Sequence, residues 1–175
     1  LRNAYLFMVS IFIYYKTGGF FFAVMLIAIV INYFVGMAIH MAKSERNKKL
    51  WLATSVVSSL GILLFFKYEL FIANAINQLF GIDIIAISHA TLWSNTFNGT
   101  DISLDKVVPP VGISFFTFQC LSYTIDIYRR HTKPVRFFTD FAFYISFFPQ
   151  LVMGPIVRAA HFIPQLYKKY ALSAQ

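Results

Sequence analysis

FFPQLVMGPIVRAAHFIPQL, residues Phe147–Leu166, is apolar in bulk yet holds three prolines, a glycine, two glutamines, an arginine and a histidine. A plain membrane helix avoids that mixture. Pro149, Pro155 and Pro164 each lack a backbone donor, and each steers the preceding residue away from α geometry. Gly154-Pro155 reads as a strong helix breaker. Broken backbone at membrane depth is tolerated only where protein or a water-filled cavity covers it. Two readings stay open at this point. The stretch is an interfacial elbow joining two helices, or it is the wall of an internal pocket to which Arg158 and His161 are presented.

The rest of the chain explains why lipid is the relevant solvent. Its 175 residues are 58% hydrophobic and 13% charged, whereas a soluble domain carries about 25% charged residues. Mean hydropathy is +0.65. The 21 Phe and 10 Tyr suit membrane interiors and interfacial belts. A net charge of +8 in such a chain points to basic cytoplasmic loops and not to nucleic acid. Cys120 stands alone, so no internal disulfide forms and the redox compartment cannot be read. The chain opens at Leu1 with no signal-peptide pattern, and it reads as part of a longer protein.

Hydropathy predicts an all-α, polytopic transmembrane protein with broken or re-entrant helices. The helices fall at about 4–15, 20–42, 51–72 and 109–128, with a broken segment at 137–166. A span needs about 20 residues, so 4–15 is short by itself and 20–42 is ample. Lys16–Gly19 reads as a tight turn, and Asn32, Gly36 and His40 are the soft spots of the second span. Lys43, Arg46, Lys48 and Lys49 form one basic loop; Arg129, Arg130, Lys133 and Arg136 form another. Two spans separate these loops, so they fall on one side, taken as cytoplasmic. The weakly acidic stretch from Lys67 to Lys106 is expected outside. It holds an apolar piece, Leu79–Ile87, expected as a short helix, and a weak glycosylation sequon at Asn98-Gly99-Thr100. Asn74, Asn77 and Gln78 mark the expected exit from lipid, and Pro109-Pro110 the expected helix start.

The fourth span is the most polar. Gln119, Ser122 and Asp126 lie at i, i+3 and i+7, one stripe of a helix, extended by Arg129 and Arg130. A carboxylate near a basic helix end suggests an Asp126–Arg130 pair, equally compatible with a structural or a functional role. Beyond the second basic loop, full crossing by 137–153 would carry Arg158, Lys168 and Lys169 outside, against the charge rule. A segment that dips in and returns removes the conflict. After it, Arg158, His161, Gln165 and Lys168 share a polar stripe opposite Ile156, Ile163, Leu166 and Tyr170, the pattern of an interface-lying helix.

Several chemistries drop out. The histidines are scattered and only one cysteine exists, so no metal-ligand cluster is visible. Neither a phosphate-binding glycine loop nor a nucleophile elbow is present. His40 and His131 sit beside basic loops, and His89 has no visible partner. His161 has polar company, although a lone histidine on a half-polar helix is more often structural than catalytic.

The stretch Pro110–Tyr128, PVGISFFTFQCLSYTIDIY, followed by Arg129, resembles the membrane-bound O-acyltransferase family. It looks most like the bacterial branch of alginate O-acetylation and teichoic-acid D-alanine transfer. Phe147–Leu166 agrees, and FFKYELFIANAIN at Phe65–Asn77 gives support. The resemblance implies a ring of membrane helices around a thin centre where a tunnel meets an extracellular funnel. It implies a multi-pass protein of the inner, cytoplasmic membrane. It further implies transfer of an acyl group, acetyl in the first instance, from a thioester donor such as acetyl-CoA or an acyl carrier on the cytoplasmic side. No cofactor is implied as bound. The acceptor would be a cell-surface polysaccharide hydroxyl or a downstream extracytoplasmic acetyltransferase. The family histidine follows a tryptophan-rich stretch that this chain lacks, so the chain resembles the N-terminal part of such an enzyme. No catalytic residue is then expected here, with His161 a weak candidate, and the part alone is expected to be inactive. Gln150 and Arg158 are expected at the tunnel wall, and Gln119, Asp126 and Arg129 at the donor side. A transporter or flippase for a lipid-linked or anionic solute is the alternative, because broken helices and an arginine in an apolar setting suit that too.

Overall fold

The computed structural model describes residues 2–81, 88–154 and 157–167. Among them every regular element is helical. α1 (Arg2–Gly18) and α2 (Phe22–Met41) are joined by a turn in which Gly19 takes φ +58°. α3 (Glu45–Leu63) runs through a single π-helical turn, Leu64–Tyr68, into α4 (Glu69–Phe80). Residues 2–41, with mean hydropathy 2.4, and 45–80, with 1.8, are long and apolar enough to cross a membrane. The second rod is about 54 Å long at 1.5 Å per residue, well beyond the ~30 Å hydrocarbon core. It therefore has to protrude or tilt, and the three asparagine and glutamine side chains at its end ride on α4 without ending it. Leu79 and Phe80 are the last residues of α4, not the start of a new helix. Residues 82–87 of the expected Leu79–Ile87 helix lie outside the described residues.

Two elements were not foreseen in this form. α5 (His89–Asn98) lies in the stretch read as loop. Its start is bound by Glu69: the carboxylate accepts from Ser88 Oγ at 2.8 Å and from the Ala90 N–H at 3.2 Å. A carboxylate at a helix start complements the exposed N–H groups and the dipole. His89 has a partner after all, its Nδ1 lying 3.1 Å from Glu69. Secondly, α6 (Ile113–Tyr128) begins three residues beyond Pro110, with Gly112 at its N-cap. The two prolines belong to the approach and not to the first turn.

α2, α3 and α6 pack on one another as the central bundle. Their shared interior is polar at one level. Asn32 Nδ2 donates to Ser59 Oγ (3.1 Å), Ser55 Oγ donates to Asn32 Oδ1 (2.6 Å), and Ser55 lies 2.8 Å from Thr124 Oγ1. Polar links of this kind join helices where apolar burial does not discriminate helix from lipid. α7 (Phe138–Ser146) packs along α1 and α2. After the extended Phe147 comes α8 (Phe148–Met153), and then α9 (Ala159–Tyr167). α9 runs back along α7. Tyr144 Oη donates to Val157 O at 2.7 Å, Phe162 packs against Phe143, Tyr144 and Phe147, and Tyr167 Oη reaches Asp140. Asp140 also accepts from Asn3 at 2.8 Å, so one buried carboxylate ties α7 and α9 to the start of α1.

The two basic loops meet. Arg130 takes φ +60° and closes α6: its N–H bonds Ile127 O, and the His131 N–H bonds Asp126 O. This left-handed cap satisfies the last carbonyls of the helix. It also turns Arg130 away from Asp126 and toward Glu45, at 3.3 Å, while Asp126 faces His131 Nδ1 at 3.8 Å. The expected Asp126–Arg130 pair is therefore not formed. The hydrogen bond from Lys48, at 2.7 Å, together with the charges of Lys48 and Arg130, holds the Glu45 carboxyl below its usual range.

Candidate active-site segment

Where the chain turns after α7, residues 147–154 rest on the loop before α6. Gly112, at φ +69°, is in a conformation that L side chains rarely adopt, and a Cβ there would lie 3.1 Å from Leu151 O. The proline-rich approach and α8 are thus in direct backbone contact. On the other side, Tyr14 of α1 donates to Val111 O. α8 begins at Phe148 with Pro149 in its first turn, where a missing N–H costs nothing. It ends at Gly154, whose ψ of 158° is the extended geometry required before a proline. Pro155 and Ile156 lie outside the described residues, as do Lys168, Lys169 and Tyr170.

The candidate residues fall into two groups. Gln119, Asp126 and Gln150 are buried, with 1%, 6% and 6% of their surface exposed. Arg129, Arg158 and His161 are exposed in this chain. Gln119 stands out. Neither Oε1 nor Nε2 of its carboxamide has a hydrogen-bond partner among the described residues. Leaving such a group buried and unpaired costs about 1–3 kcal/mol per polar atom. On α6 it shares a helix face with Asp126, one carboxamide and one carboxylate two turns apart. Thr117 Oγ1 and Ser146 Oγ are also buried and without a hydrogen-bond partner among the described residues. Gln150 is engaged within the fold. Arg158 lies just before α9 and His161 on it, both exposed, and Gln165 is exposed with them. The structure does not bring them together with Gln119. No group of three or more His, Cys, Asp or Glu able to hold a metal occurs among the described residues.

Lys67, the start of the stretch expected outside, carries more than that reading gave it. It sits in the π turn, where its Nζ donates to Ser114 Oγ at 3.1 Å, and with Ser114 it lines a cavity of about 370 Å³ together with Pro109–Phe115 and Leu151. π turns inside α-helices recur at functional sites. A lysine in the middle of an apolar run was the one available signal. The sequon residues are engaged in packing: Asn98 Oδ1 accepts the Phe20 N–H at 2.7 Å, and Thr100 Oγ1 donates to Asn95 Oδ1 at 2.7 Å.

Comparison with known proteins identifies bacterial relatives. The chain is 34% identical to the probable alginate O-acetylase AlgI of Pseudomonas syringae pv. tomato, over 90% of this chain and 28% of that protein. It is 33% identical to the AlgI of Pseudomonas aeruginosa, over 78% of this chain and 24% of the relative. It is 29% identical to a peptidoglycan O-acetyltransferase of Helicobacter pylori, over 94% of this chain and 32% of the relative. The chain thus spans between about a quarter and a third of the length of these relatives. No family model and no solved structure matches it.

Proposed function

Because the chain is a membrane protein that belongs to the membrane-bound O-acyltransferase family, we propose that it forms part of an enzyme O-acetylating a cell-envelope polysaccharide. The observation that carries this reading is the similarity, over most of the chain, to proteins named for polysaccharide O-acetylation. The protein would be multi-pass in the cytoplasmic membrane, with both basic loops on the cytoplasmic face and the thioester donor entering from there. The acceptor is a polysaccharide hydroxyl, or an extracytoplasmic acetyltransferase that passes the group on. In the reaction the hydroxyl oxygen attacks the thioester carbonyl carbon. The C–S bond breaks, and the hydroxyl proton passes through a base to the departing thiolate, which leaves as the thiol. That base lies outside these 175 residues on this reading. The relatives' names give no support to a transporter.

Within this chain the reading assigns Gln119 to the donor. Its unpartnered carboxamide offers an N–H₂ to a thioester carbonyl, where negative charge develops in the transition state. Asp126 and Arg129 lie further along the same helix toward the basic end, and Gln150 and Arg158 shape the turn-back. In the full-length protein, Gln119→Leu should lower acetyl transfer from a thioester by roughly ten- to a hundredfold, the worth of one hydrogen bond made in the transition state. Turnover is measured with radiolabelled acetyl donor in proteoliposomes, with abundance matched. Full activity in Gln119→Leu removes that residue from the site. Absence of thioester-dependent transfer by the wild-type protein and its extracytoplasmic partners sinks the proposed function itself.

A further inference from the structure

We propose that the basic end of the bundle carries a binding trough for an anionic phospholipid, with the headgroup phosphate on Lys133 and Arg136 and an acyl chain along α9. Two adjoining cavities of about 510 and 350 Å³ share Thr132 and Lys133. The larger is amphipathic by construction. One wall is the loop at 131–137, carrying His131, Lys133 and Arg136; the other is apolar, from Ala160, Ile163 and Pro164 of α9. A soluble anion has no use for the second wall, whereas a phospholipid needs both.

The charge balance favours an anionic occupant. Of the carboxylates at this end, Glu45 is engaged by Lys48 and Arg130, Asp126 faces His131, and the buried Asp140 accepts from Asn3 and from Tyr167. Among the described residues Lys133 and Arg136 pair with no carboxylate; Arg136 lies over the Phe137 ring at 5.3 Å. The loop is also held in place before any ligand arrives. The Val135 N–H donates to Tyr123 Oη at 3.1 Å, Tyr33 Oη donates to Arg136 O at 3.0 Å, and Pro134 stiffens the backbone immediately before them. A loop fixed in this way orders little on binding, which favours a specific site over a diffuse field. Its position at the end of α2, α6 and α7 is where a cytoplasmic-leaflet headgroup would lie, and that leaflet is the one rich in anionic lipid.

The test uses the full-length protein in nanodiscs of phosphatidylcholine containing a minor fraction of phosphatidylglycerol. After exchange into mild detergent, co-purifying lipid is quantified by mass spectrometry. The wild type should retain phosphatidylglycerol in preference to phosphatidylcholine. Lys133→Gln with Arg136→Gln should weaken retention about fivefold per removed charge. Ala160→Trp, which blocks the apolar wall and leaves the charges in place, should weaken it as well. Arg46→Gln with Lys49→Gln, which removes equal charge from the same end outside the trough, should leave retention unchanged. Three outcomes overturn the proposal: no preference in the wild type, an equal loss in the Arg46/Lys49 pair, or retention unaffected by Ala160→Trp. Displacement of the lipid by millimolar inorganic phosphate would instead assign the two cations to a soluble phosphate group. If the loop double variant elutes as aggregate, Ala160→Trp and the phosphate competition decide alone.

Discussion

At the scale of single residues, Asn32 shows how an apolar helix specifies its neighbours. It is the polar residue at the centre of α2, and it holds Ser55 and Ser59 of α3 while Ser55 holds Thr124 of α6. An average interhelical hydrogen bond in a membrane contributes about 0.6 kcal/mol. Asn32 serves several at once, and its removal orphans buried hydroxyls. Asn32→Ala should therefore cost about 1–3 kcal/mol, read as a lowered thermal unfolding midpoint of the purified protein. An unchanged midpoint would show that the cluster is incidental. Four residues on, Gly36 serves the same interface by having no side chain. A Cβ there would lie 2.7 Å from Tyr123, whose hydroxyl holds the loop at Val135. The sequence marks Asn32 and Gly36 as soft spots in an apolar run, but it does not say which partners they serve, because those contacts reach across tens of residues.

At the scale of elements, breaks imposed by proline were legible and breaks imposed by packing were not. Gly154 is extended because a proline follows, which is a local rule. The start of α6 is set by contact between Gly112 and α8, which no local rule contains. Proline before a helix fits its first position equally well, so the sequence pointed to Pro109-Pro110. The end of α6 was hidden for another reason: its left-handed cap is an arginine, where glycine is the usual signal. Gly112→Ala tests the first of these junctions. The substitution forces a left-handed alanine, at about 1–2 kcal/mol, against a carbonyl that cannot recede without moving α8. Both the unfolding midpoint and the proposed acetyl transfer of the full-length protein should fall. A variant that keeps full activity would show that α8 adjusts freely.

At the scale of the whole molecule, the two basic loops come together at one end. Glu45 and Arg130 join the two basic loops directly, while Gly19, α5 and the Lys67–Ser114 contact lie at the other. That segregation was legible from charge parity alone, since a helix of known length must deliver its ends to opposite sides. The acidic-side architecture was not, because it depends on Glu69 reaching the start of α5. With Cys120, which is fully buried, replaced by serine, cysteines at Ser44 and Thr132 should resist an impermeant thiol reagent in intact cells. A cysteine at the exposed Asp101 should react, and is a better reporter than Thr100, whose hydroxyl is bonded within α5. Labelling at Ser44 without labelling at Asp101 would invert the protein in its membrane.

The π turn at Leu64–Tyr68 makes the α3–α4 rod a ruler with one adjustable mark. A wide turn stores a residue that a regular turn would not hold over the same rise. Losing one residue there lets the backbone relax to ordinary α geometry while α3 and α4 keep their faces. Losing one within α3 swings everything beyond it by about 100°, and Glu69 no longer points at Ser88 and Ala90. Drift in the length of this rod is thus absorbed at Lys67 and refused in α3, so the residue facing Ser114 is the one whose neighbours are free to be counted differently.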